Sequence, residues 1–120
     1  MRSSLIAAAF VVGAFGSAFA TSAVSFEAQG YLLDFTVGDD SQPTVAGLSF
    51  AAPGGVRAVE IPMRHLRIET FDTGQKILLL RFTNPGDPKL PKDFSLAVRN
   101  DAGVLHIDGK SIAGRFAWGL

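Results

Sequence analysis

The 120-residue chain has no cysteine, one tryptophan, one tyrosine and two histidines. Without thiols there is no disulfide, no thiolate nucleophile and no thiolate ligand for a metal, so packing must hold the fold without staples. Secreted domains below about 80 residues usually need such staples, and one of about 100 manages without them. An excess of either charge is also missing, since 11 Lys and Arg balance 11 Asp and Glu. That balance excludes a global basic field for nucleic acid and gives no long-range steering toward acidic substrates or an anionic membrane. Beyond residue 20 the chain has no helical apolar period, no internal repeat and no low-complexity tract.

Charge is missing locally as well. No charged residue occurs from Leu5 to Phe19, directly after Met1-Arg2-Ser3-Ser4. Ala18-Phe19-Ala20 places small residues at the two positions a signal peptidase inspects, which predicts a cleaved signal peptide over residues 1–20 and a periplasmic or secreted domain over 21–120. An uncleaved anchor needs about 20 apolar residues, and Thr21 and Ser22 interrupt the run too early for that. Without Arg2 the mature chain has 10 basic residues against 11 acidic ones.

What the chain does have is alternation. Apolar residues recur with period two after Ser22, punctuated about every ten residues by Gly, Pro, Asp or Asn, the pattern of short strands and turns. Val24, Phe26 and Ala28 share one face, and Leu33, Phe35 and Val37 another after a bulge or bend at Gly30. Ala46, Leu48 and Phe50 mark a weaker strand, and Val56 to Ile61 a further one ended by Pro62. Arg64 to Phe71 and Gln75 to Thr83 form a hairpin through Asp72-Thr73-Gly74, with Gly74 available for a left-handed position. Ile77-Leu78-Leu79-Leu80 is apolar on both faces, which predicts the most covered, central strand. Residues 84–93 form a stiff loop with three prolines. Strands from Phe94, from Val104 and from Ile112 complete the chain, the last two joined by the hairpin signal Asp108-Gly109.

These segments predict an all-β domain, an antiparallel meander of about eight strands, packed as a β-sandwich or, alternatively, as a small closed β-barrel. Gly30, Pro62 and the proline-rich loop interrupt regular closure and favour the sandwich. A membrane barrel needs strands of about 9 to 11 residues, and several segments are shorter.

No motif fixes an activity. Gly109-Lys110-Ser111 ends like a nucleotide-binding P-loop, but position 104 is Val where that motif needs Gly, and the segment joins strands rather than a strand and a helix. No serine lies in a Gly-x-Ser-x-Gly elbow. His65 and Glu69 share the outward face of one strand, and His106 and Asp108 that of another. If those strands adjoin, the four are candidate metal ligands or a His-centred catalytic set. The phenylalanines are spaced for a core, whereas Tyr31 and Trp118 have polar tips that suit a rim. Trp118 either packs on Tyr31 or anchors a partner; with outward Arg67, these are the candidate partner-binding residues.

The expectation is therefore an exported, non-catalytic binding domain, monomeric and without cofactor, nucleotide or nucleic acid, acting on a protein or cell-envelope component. One alternative is a His-dependent or metal-assisted hydrolase. Another is an envelope or surface subunit that completes its sheet with a strand from another chain.

Overall fold

A computed structural model describes residues 24–38, 43–54 and 57–119, so the signal peptide expected over 1–20 lies outside the described residues. The strands are β1 (Val24–Ala28), β2 (Tyr31–Gly38), β3 (Thr44–Ala51), β4 (Val59–Glu60), β5 (Leu66–Asp72), β6 (Ile77–Phe82), β7 (Phe94–Arg99), β8 (Ala102–Ile107) and β9 (Lys110–Trp118), with one 3-10 turn at Met63–His65. They form a single antiparallel sheet in the order β4-β3-β2-β1-β9-β8-β7-β6-β5. The sheet curls into a half-barrel, a meander intermediate between the sandwich and the closed barrel that the sequence leaves open. Its two halves face each other across a shared core, where Phe50 stacks on Phe94 at 5.0 Å and Phe35 meets Phe116 at 5.7 Å.

Strand direction explains why the barrel stays open. Eight antiparallel steps separate β4 from β5 in the sheet, so these two edge strands run the same way. A parallel pair needs a crossover of about a dozen residues or more, and only residues 61–65 join them. The chain instead follows one bent course. The last rung to β3 is Ile61 N–H to the Leu48 carbonyl at 2.9 Å; Pro62 has no N–H to continue it, and past the 3-10 turn the strand pairs with β6. Taken as one course, the nine elements become the eight expected.

Both strands flanking the resulting seam are bulged. The β2–β3 register shifts opposite Ala46, which puts Val45 inward with Leu48 and Phe50 and leaves Ala46 exposed, contrary to the simple alternation expected of this strand. The β5–β6 register shifts at Glu69, so Leu66 and Ile68 pair beside inward residues of β6, and so does Phe71. An extra residue inverts the parity of all that follows it.

Most inward residues of the long strands are buried, with Phe26, Leu33, Leu78 and Leu105 fully so, while Ile68 and Phe71 of the edge strand β5 are half-buried. Gly103 and Gly114 face each other across β8 and β9, and a Cβ on either meets the Phe26 ring. The missing side chains are the space that the ring fills. Three expectations need correction. Gly30 does not bend a strand: with Gln29 (φ 48) it forms a two-residue turn at φ 90, and a Cβ there would stand 2.7 Å from the Pro53 Cβ. The left-handed residue of the β5–β6 turn is Lys76 (φ 58), not Gly74. Finally, β6 is next to an edge and β9 is central; Leu78 and Leu80 are buried, but Leu79 is 37% exposed because nothing among the described residues covers the outer face of the sheet.

Candidate functional site

Sheet order separates the four metal candidates. His65 ends the 3-10 turn before β5, Glu69 is the bulged residue of β5, and His106 lies on β8, with β6 and β7 between. At about 4.8 Å per strand, β5 and β8 are roughly 14 Å apart, too far for both imidazoles to share one ion. Among the described residues no group of three or more His, Cys, Asp or Glu converges to hold a metal. Tyr31 and Trp118 are likewise apart, paired at opposite ends of β1 with Ala28 and Val24. Trp118 is only 9% exposed, donates its indole N–H to the Asn100 carbonyl at 2.6 Å, and packs on Phe116 and Phe71 rather than on Tyr31. Tyr31 packs edge-on against Phe50.

The structure brings His106 and Asp108 together with residues the sequence did not connect to them. Cross-strand register aligns Arg67, Arg81, Ser95, His106 and Ser111 in one row over the outer face of β5 to β9. The imidazole Nδ1 of His106 lies 2.9 Å from Ser111 Oγ. Arg67 and Arg81 are directly opposed, an arrangement that costs stability through like-charge repulsion. Glu69 relieves part of it, at 4.0 Å from Arg81. The next row, Leu79, Ala97, Val104 and Ala113, is apolar and small, and the row beyond it contains Arg99 and Arg115. The outer face is thus a shallow apolar strip between two basic rows.

At one rim of this face an open cavity of about 650 Å³ lies over Ser95 and His106, bordered by Arg81, Asp93, Asp108 and Lys110. Asp93, at the end of the loop over residues 84–93, forms part of its wall. Asn84 organises the loop: its side-chain N–H groups donate to the carbonyls of Asp87 and Pro91 at 2.9 Å, and its carbonyl oxygen accepts from Gly86 and Asp87 N–H at 2.7 Å. Asp93 accepts from the Asn84 backbone N–H at 2.8 Å, and Lys92 reaches Asp108 at 3.3 Å, tying the loop to the β8–β9 turn. The only sequence signal for this was Asn84 followed by Pro-Gly-Asp, an Asx-turn composition. A second cavity, of about 560 Å³, opens at the other end among Lys76, Asn100, Asp101 and the edges of Phe116 and Trp118.

Charge is divided between the halves of the chain. Residues 21–60 contain one basic residue, Arg57, against five acidic ones, whereas residues 61–120 contain nine basic against six acidic. The neutral total conceals this polarity. In the acidic half, Asp34 stands between Ser25 and Ser49 on the outer face, and desolvation raises its carboxyl above the ordinary value of 3.8. No protein-family model, curated protein or solved structure matches the chain.

Proposed function

We propose that this is an exported binding domain that engages an anionic glycan of the cell envelope through the outer face of β5 to β9. The observation that carries the reading is the opposed pair Arg67 and Arg81, a repulsion that an anionic ligand relieves. The polarity of the chain concentrates basic residues on the same half. Two basic rows on either side of a flat strip of small residues suit a chain of sugar rings, with apolar faces on Ala97, Val104 and Ala113 and anionic groups along the edges. A lipid bilayer is less well matched, because the strip offers no Trp or Phe to insert.

Sheet completion by a foreign strand draws support from the outer edge of β5, unpaired among the described residues, beside the half-buried Ile68 and Phe71. The bulge at Glu69 and the charges of Arg67 and Asp72 are devices that guard an edge against such pairing. The hydrolase reading loses its paired imidazoles, and Asp108, which would orient His106, instead pairs with Lys92.

The test is a binding titration of the mature domain with dextran sulfate, uncharged dextran and anionic phosphatidylglycerol vesicles. Dextran sulfate should bind in a salt-sensitive way, and Arg67→Glu with Arg81→Glu should weaken it at least tenfold. Equal binding of charged and uncharged dextran, or a preference for vesicles, contradicts the reading.

A further inference from the structure

Within the basic face one place sets an arginine, a hydroxyl and an imidazole side by side at the rim cavity. Ser95 lies on β7 with Arg81 beside it on β6 and His106 beside it on β8. Two strand spacings, about 10 Å, separate the Cα atoms of the two flanking residues. The Arg81 guanidinium, which stands 4.0 Å from Glu69 on β5, and the His106 imidazole flank the Ser95 hydroxyl, and turned inward over it they span a tetrahedral oxyanion at that width. We propose that this part of the rim cavity is a specific site for one phosphoryl or sulfuryl group, held by the Arg81 guanidinium, the Ser95 hydroxyl and Nε2–H of His106. The proposal rests on the anionic-glycan reading and names the group that the glycan must carry.

Three features of the surroundings support this assignment. The described hydrogen bond of the His106 ring uses Nδ1 with Ser111 Oγ. An oxyanion at Nε2 therefore selects the tautomer in which Nδ1 accepts from the serine hydroxyl, and Ser111 acts as a positioning residue. The two carboxylates on the cavity wall are already engaged, Asp93 by the Asn84 N–H and Asp108 by Lys92. Their repulsion toward an incoming anion is thereby reduced, and Lys110 adds a further positive charge to the rim. Asp93, the loop residue on that wall, is held by the Asn84 N–H, and Lys92 ties the loop to the β8–β9 turn. Charge-assisted hydrogen bonds from a guanidinium fork to a tetrahedral oxyanion are among the strongest polar contacts available, and they discriminate against uncharged sugar hydroxyls.

The experiment uses inorganic phosphate and inorganic sulfate as separate probes at low ionic strength, followed by NMR of the mature domain. Either anion should shift the His106 ring and the Ser95 and Arg81 amides in a saturable way. Arg81→Gln should weaken that binding about tenfold and Ser95→Ala about threefold. Lys76→Gln, at the opposite end of the domain and outside both the cavity and the basic rows, should leave it unchanged. Preserved amide dispersion shows that each variant is folded. Phosphate alone, sulfate alone or both equally will identify which oxyanion the site prefers. If neither anion moves these three residues while dextran sulfate still binds, the oxyanion site is wrong and the glycan reading stands. Saturable binding of the small anions with no binding of dextran sulfate has the opposite meaning: it supports the site and removes the glycan reading.

Discussion

The strands before the seam and those after it are built on the same inner pattern and opposite outer ones. From β1 to β4 and from β5 to β9, aromatic and branched residues alternate inward into one core. Outward, the strands of the first group carry Glu27, Asp34 and Glu60, and those of the second Arg67, Arg81, Arg99, Lys110 and Arg115 against Glu69 and Asp72. Burial fixes the inner face and makes the two groups nearly interchangeable in composition. The outer face is free of that constraint, and its division of charge is the feature on which the proposed glycan binding rests.

If the inner and outer faces differ as described, substitutions on them should differ sharply. Phe26→Ala empties the space over the Gly103–Gly114 pair, and removing a buried aromatic typically costs about 3 to 5 kcal/mol. Leu80→Ala should cost about 2 to 5 kcal/mol by the same cavity argument, whereas Leu79→Ala, one residue away on the outer face, should change stability by less than about 0.5 kcal/mol. Chemical denaturation decides the matter: a similar loss for Leu79→Ala and Leu80→Ala would break the distinction between the two faces.

A smaller effect belongs to the acidic group. Because desolvation raises the folded-state carboxyl of Asp34 above 3.8, the folded protein binds that proton more tightly than the unfolded chain does. Stability should therefore fall as pH rises from the ordinary carboxylate value through the raised one, and the charged form remains a cost above it. Asp34→Asn should accordingly stabilise the domain at neutral pH, with the gain fading at low pH. A loss of stability at neutral pH, or a gain that grows on acidification, runs against this assignment of cause.

Much of this architecture was legible in the amino-acid pattern. The period-two alternation, the Asp108-Gly109 turn and the break at Pro62 each have a local physical signature, and each occurs where expected. Ala46 and Glu69 left no such signature, since a bulge depends on how a strand meets its partner rather than on the residue inserted. The four apolar residues of β6 suggested a strand covered on both faces, but period alone does not reveal whether a second layer exists. The site was half visible. His106 and Asp108 stood out by chemistry, while Arg81, Ser95 and Ser111 became their neighbours only through register across four strands. Trp118, chosen for its polar tip, proves to satisfy that tip on the Asn100 carbonyl within its own domain.

The most direct test of the central claim is a residue-resolved map of where an anionic glycan touches the domain. With dextran sulfate added stepwise at low salt, amide shifts should concentrate on Arg67, Arg81, Ser95, His106 and Ser111 and along the Ala97–Val104–Ala113 strip. The outer residues of β1 to β4 should stay silent. Shifts centred on β2 and β3, or spread evenly over both halves of the sheet, would contradict the assignment of binding to the basic face.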